Sequence, residues 1–158
     1  MRAVALIGTG LVVAGLAWPS GILVVSDETG AVRWRVQVAE GTPVVLQYTN
    51  SIYLAPTWER FVVRGGRLYL LDVSSTREAV LEYHRFAGPY RREGPRVTAP
   101  VSGLVLDLLP LRIGEGGRPL LQVGRTVLPL YEAGVGAGLR VAIRREPRLL
   151  RWLGGRGP

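Results

Sequence analysis

The chain has no cysteine and no lysine, and His84 is the single histidine among its 158 residues. The absence of cysteine excludes disulfides, a thiol nucleophile and thiolate metal sites. One histidine without cysteine cannot supply the usual zinc ligands. We therefore expect no catalytic residues, no zinc and no cofactor. Calcium bound through oxygen ligands stays open, although no loop has the spacing of a known calcium motif.

The formal net charge is +8, and all 20 basic residues are arginine. A strongly basic domain attracts anionic lipid headgroups or an acidic partner. Nucleic acid is the usual alternative partner of a basic chain. Because the leader described next predicts export, we expect the inner-membrane surface as a partner and no nucleic acid.

The first 18 residues predict a leader. After Met1 and Arg2, a run of 16 residues from Ala3 to Trp18 carries no charge. Its length lies between the apolar region of a signal peptide and a full membrane span. Cleavage after Ala17 and retention as an N-terminal anchor both stay open. We expect an apolar helix here that places the rest of the chain on the periplasmic side of the inner membrane.

From residue 22 onwards the apolar pattern has period two, which is typical of strands. In AVRWRVQV, Val32, Trp34, Val36 and Val38 alternate with polar residues. Eight further segments of this kind are separated by turn residues about every ten positions, including Gly65-Gly66 and Gly124-Arg125. The pattern predicts an all-β fold, a small antiparallel barrel or sandwich of about eight to nine strands, over residues 22–144.

Two segments do not follow this pattern. Residues 74–96 are less regular, hold five arginines and include a weak helical pattern within residues 76–86. Residues 145–158 form a basic tail in which leucines and a tryptophan are grouped. Such a tail is typical of a frayed C-terminus, and a membrane-bound surface segment is the alternative.

The most distinctive local sequence is QYTNS at residues 47–51, followed by Pro56 and Glu59. Polar side chains at the end of an apolar strand can cap a turn through hydrogen bonds to the backbone. We expect Glu59 to start the next strand, close to this cluster, and to join it in a buried polar network. The pattern favours a structural corner that fixes the hairpin, and the alternative is a ligand or partner site at one end of the barrel. Its residues are Tyr48, Thr49, Asn50, Ser51, Pro56 and Glu59.

The segment YTNSIYLAPTWERFVVRGGRLYLLDV resembles the core of a bacterial family called domain of unknown function 1850. The later segments LPLRI, RPLLQVGRTVLPL and GLRVAI resemble it too, so that the likeness covers about residues 22–144. It implies an accessory envelope protein of the TAXI-type tripartite ATP-independent periplasmic (TRAP) transporters. The residues that match the family pattern are Tyr48, Thr49, Ser51, Pro56 and Glu59.

Two departures from that family pattern stand out. Asn50 occupies the position of a family histidine, so a role that needs a titrating imidazole there is absent. A glycine-rich stretch expected after the fifth strand is replaced by residues 74–84.

The resemblance and the leader together predict a non-catalytic component of a TAXI-type TRAP system that contacts the permease or the solute-binding protein. One alternative is an independent periplasmic module that binds an anionic small solute against arginines. Another is a serine hydrolase that uses His84 with Ser51 or another serine.

Overall fold

The computed structural model describes residues 20–86 and 88–146. The predicted apolar helix of residues 1–18 and nearly all of the basic tail lie outside this part of the chain. Strands begin at Ser20 and end at Glu146, so that Arg145 and Glu146, which were assigned to the tail, extend the last strand. No helix in the described residues has the length and apolar character needed to cross a bilayer.

The described chain is mostly antiparallel β-structure, which confirms the all-β prediction. It contains twelve strands and one short α-helix. The elements are β1 Ser20–Asp27, β2 Val32–Val38, β3 Pro43–Asn50, β4 Ala55–Arg64, β5 Arg67–Ser75, α1 Glu78–Tyr83, β6 Arg91–Glu93, β7 Arg96–Pro100, β8 Val105–Leu106, β9 Leu108–Arg112, β10 Leu120–Val123, β11 Thr126–Leu128, a 3-10 helix Leu130–Ala133, and β12 Gly138–Glu146.

The strands form two sheets and not one closed barrel. The small sheet has the order β2-β1-β12-β9. The large sheet has the order β11-β10-β3-β4-β5-β7-β6, and β8 pairs with β5 beyond the end of β7. Both sheets contribute to one hydrophobic core, with Leu23 and Val141 from the small sheet and Phe61 and Leu121 from the large one.

The strand count exceeds the predicted eight to nine for two local reasons. Leu104, Leu106 and Leu108 alternate in the sequence as in one strand, but the chain leaves the large sheet after β8 and enters the small sheet at β9. Asp107 lies between them, exposed, and forms an ion pair with Arg67 over 2.8 Å. In the segment predicted to be irregular, Gly94 adopts a positive φ of 59° and closes the β6–β7 hairpin.

Other local predictions are confirmed. The alternation in β2 appears as alternating exposure along the strand. Gly65 and Gly66 have φ values of 55° and 77° and connect β4 to β5, as a tight hairpin turn requires. The weak helical pattern is α1, which buries Val80 and Leu81 against the core.

Ser20 and Glu146, the first and last described residues, lie at the end of the fold opposite the β3–β4 turn. Ser20 pairs with Glu146 and Gly21 with Val38, so that both ends of the described chain meet where β2 turns into β3. The backbone NH of Gly41 in this turn donates to Val63 O near the start of β3. The eight residues of β3 then extend roughly 23 Å to the opposite end.

The shared core predicts a large cost for removing its largest side chain. Phe61 is 1% exposed, and Phe61→Ala should lower the free energy of unfolding by about 3–5 kcal/mol, because the cavity would be lined by both sheets. Val127 is 55% exposed, and Val127→Ala should change the free energy by about 0.5 kcal/mol or less. Denaturant unfolding measures both, and similar losses would contradict the core described here.

Candidate functional site

A pocket of about 310 Å³ opens between the two sheets at the end remote from Ser20. We call it the inner pocket. One wall is the inward face of β3 and β4, and the other is β9 with residues 113–119 of the following loop. Its lining residues are Leu46, Tyr48, Thr49, Asn50, Ser51, Glu59, His84, Pro110, Leu111, Arg112, Gly114, Glu115, Gly117 and Pro119.

Glu59 faces inwards because of its place in β4. The strand APTWERFVVR buries Ala55, Thr57, Phe61 and Val63, and Glu59 lies in the same alternating row. It is the one charged residue of that row. Its backbone partner across the strand pair is Leu46, which also lines the inner pocket. The strand therefore places a carboxylate at the edge of an apolar core.

Tyr48 holds this carboxylate. Its hydroxyl donates a hydrogen bond to Glu59 Oε1 over 2.9 Å, diagonally across the β3–β4 pair. Burial, followed by the charge of Glu59, raises the pKa of the Tyr48 phenol well above its ordinary value of 10.0, so it stays a neutral donor. Burial also raises the pKa of the Glu59 carboxyl above 4.5, although the Tyr48 hydrogen bond and the charge of His84 oppose the shift.

Asn50 shapes the mouth of the inner pocket by ordering the β3–β4 turn. Its Oδ1 accepts hydrogen bonds from the backbone NH groups of Ile52 and Tyr53, both over 3.0 Å. This is the turn cap that the polar sequence predicts. Leu54, at the end of the turn, has a φ of 48°, a left-handed conformation that is uncommon for a leucine.

The structure brings five of the six predicted site residues together, since Tyr48, Thr49, Asn50, Ser51 and Glu59 all line the inner pocket. Pro56 does not join them. It lies on the opposite face of the large sheet, in a shallow depression of about 330 Å³ that also touches Tyr48 and Thr49. We call this the outer depression.

The sequence predicts Glu59 at the start of its strand, close to the Thr49-Asn50-Ser51 cluster. It lies in the middle of β4 instead, and its hydrogen-bond partner is Tyr48. The register of the hairpin explains the difference, because Ala55 opposite Asn50 begins the strand four residues earlier.

Sequence reasoning also missed several charged residues around these two sites. Arg112 and Glu115 line the inner pocket, and Arg118 lines the outer depression, where its guanidinium lies 5.0 Å from the Tyr131 ring centroid. The guanidinium of Arg112 already donates hydrogen bonds to Glu28 Oε1 over 2.8 Å and to Gly136 O over 2.9 Å. No local pattern indicates these positions, because the loop after β9 carries no period.

Part of the arrangement that the serine hydrolase hypothesis requires is present. Ser51, His84 and Glu59 line one pocket, and His84 influences the ionisation of Glu59. Among the described residues, however, no hydrogen bond joins Ser51 to His84 or His84 to Glu59, as a serine nucleophile with its base would need. The His84 ring instead lies beside Tyr83 and Phe86.

The acidic residues that could bind calcium through oxygen do not lie together, and each pairs with a different arginine. Asp27 pairs with Arg33, Glu28 with Arg112, Asp72 with Arg60 and Asp107 with Arg67. Within residues 20–86 and 88–146, no three acidic or histidine side chains form a group that could hold a metal ion.

No protein-family model matches this chain, and searches of curated proteins and of solved structures likewise found no match. The resemblance to the family of domain of unknown function 1850 therefore stays a prediction.

The role of Asn50 as a turn cap predicts a loss of stability. In Asn50→Ala, the NH groups of Ile52 and Tyr53 lose their acceptor, which should lower the free energy of unfolding by about 1–3 kcal/mol. Asn50→Asp keeps an acceptor oxygen and should recover most of the loss. Denaturant unfolding distinguishes these outcomes, and equal losses in both variants would contradict the capping role.

The raised pKa of Glu59 predicts that its replacement by the neutral isostere glutamine stabilises the folded protein in a pH-dependent way. Since the folded pKa lies above 4.5, the contribution of Glu59 to stability is full below 4.5 and is lost as pH rises through the folded pKa. Glu59→Gln keeps an acceptor for Tyr48 and no longer ionises. It should raise the thermal midpoint at neutral pH and leave it almost unchanged below pH 4.5.

Glu115 is an exposed carboxylate of the same pocket, and Glu115→Gln serves as the control in this comparison. Thermal unfolding followed by circular dichroism between mildly acidic and neutral pH gives the required curves. A Glu59→Gln variant that is less stable than the parent protein at neutral pH would contradict the inferred desolvation of the carboxylate.

Proposed function

We propose that this chain is a non-catalytic accessory component of a TAXI-type TRAP transport system, held in the cell envelope by its apolar leader. The resemblance over residues 22–144 and the leader of residues 1–18 support this proposal. Its working surface is an apolar tip beside the mouth of the inner pocket, and this tip is the observation that carries the proposal.

The apolar tip consists of Ile52, Tyr53 and Leu54 in the β3–β4 turn, with Tyr83 at the end of α1. Ile52 is 57% exposed, Leu54 78% and Tyr83 57%. Tyr53 and Tyr83 stack edge to face with ring centroids 6.2 Å apart, so the turn and the helix form one surface. Grouped apolar and aromatic side chains of this kind are typical anchors of protein–protein interfaces.

The position of the apolar tip indicates which partner it contacts. β1 begins at Ser20, at the end of the fold remote from the β3–β4 turn. With the leader in the membrane and β3 directed away from it, the tip projects from the bilayer by up to the length of β3, roughly 23 Å. A soluble solute-binding protein is accessible at that height, whereas most of a permease is embedded below it. We therefore propose the solute-binding protein as the partner.

The absence of native cysteine permits a direct test. A single cysteine introduced by Ile52→Cys can carry a photo-crosslinker, and Val127→Cys, on the opposite side of the large sheet from the core, is the matched exposed control. In envelopes from cells that make the whole transporter, we expect the probe at position 52 to crosslink to the solute-binding protein, with several-fold less product from position 127. Mass spectrometry identifies the product.

Two results would count against the proposal. Crosslinks from position 52 to neither transporter component would contradict the accessory role. Crosslinks to the permease alone would keep that role and contradict the orientation inferred from the strand register.

A further inference from the structure

The inner pocket contains a carboxylate oxygen that the protein does not bind. Glu59 Oε1 accepts the Tyr48 hydroxyl, but within the described residues nothing donates to Oε2. The side chain is half-buried, and since no fully buried side-chain oxygen of the described residues lacks a partner, Oε2 is accessible from the pocket. A carboxylate in this position gains most from a charged donor that enters the pocket.

We propose that the inner pocket binds a small solute through an ammonium group, which donates to Glu59 while Tyr48 holds the carboxylate in place. This inference goes beyond the accessory role, because it concerns a ligand and a different set of side chains from the apolar tip.

The charges that face the pocket favour a cation over the anion expected from the basic composition. Glu59 faces it from β4 and Glu115 from the loop after β9, while Tyr48 contributes a neutral phenol from β3. Arg112 lines the pocket too, but its guanidinium is paired with Glu28 and Gly136 O. His84 is the remaining basic side chain, at the end of α1. Two carboxylates therefore face the pocket against one basic side chain without an ion-pair partner, His84, whose charge also acts on Glu59.

An anionic solute would be placed beside Glu59 at short range, where like charges repel strongly because few waters screen them. The net charge of +8 acts at longer range and is screened by salt. Of the inner pocket and the outer depression, an anion fits the outer depression better, since Arg118 is the one charged side chain in its lining.

The size and walls of the pocket limit the solute. A volume of about 310 Å³ lies at the low end of the range for small-molecule sites. Leu46, Leu111, Pro110 and Pro119 supply apolar wall around the carboxylate. The solute is therefore a small molecule that combines an ammonium group with a short carbon skeleton.

Benzylamine, benzyl alcohol and benzoate form a matched series for the test, because they share a ring and differ in charge. Titration of the nitrogen-15-labelled protein at neutral pH, followed by amide chemical shifts, detects even weak binding. We expect benzylamine to bind about tenfold or more tightly than benzoate and to shift the amides of Tyr48, Asn50 and Gly114. Benzyl alcohol should bind with intermediate affinity.

Glu59→Gln keeps the shape of the site and should weaken benzylamine binding by about tenfold, with little effect on benzyl alcohol. Glu115→Gln is the matched control, because it removes an exposed charge from the same pocket, and it should change the affinity by about twofold at most. Circular dichroism and thermal unfolding establish that both variants are folded.

Tighter binding of benzoate than of benzylamine would overturn the proposal, as would equal benzylamine binding by Glu59→Gln and the parent protein. Binding of none of the three compounds would also overturn it. These results are independent of the crosslinking experiment, since an accessory protein without an amine site would still crosslink through position 52.

Discussion

The pairing of the first described strand with the last is the interaction on which the rest of the fold depends. β1 and β12 pair along their whole length, from Ser20 opposite Glu146 to Asp27 opposite Leu139. They form the centre of the small sheet, and Leu23, Val25, Leu139 and Val141 from these strands are fully buried. Without this long-range pairing, the large sheet would expose the apolar face that forms its half of the core. The fold therefore requires pairing between its first and last described strands, a long-range contact of the kind that slows the folding of β-sandwiches.

The same pairing separates the ends of the chain from the candidate site. Because β1 begins where β12 ends, Ser20 and Glu146 lie side by side at one end of the fold. The β3–β4 turn and residues 113–119 lie at the other end, joined by the hydrogen bond from Thr49 NH to Gly117 O. Loops at this end can therefore carry a partner surface and a pocket while the strands stay rigid.

Features with a local cause could be predicted from the sequence. The alternation in β2 and the Gly65-Gly66 turn depend on neighbouring residues, and both appear in the structure. The cap by Asn50 is local as well, since its partners lie two and three residues ahead. Features that depend on strand register could not be predicted in this way. Tyr48 and Glu59 lie diagonally across the β3–β4 pair, so their contact depends on the register of that hairpin. The engagement of Arg112 by Glu28 joins residues 84 positions apart.

Glu59 connects the architecture to a role in binding. An apolar side chain in its inward row would pack against Leu46 and Val73 without the desolvation that raises the pKa of the carboxyl. A residue that lowers stability at neutral pH in this way is typical of functional sites, where strain and buried charge are tolerated because they serve binding. The Tyr48 hydroxyl orients this carboxylate but satisfies one of its two oxygens. In the proposed ammonium site, the ligand would donate to the second oxygen.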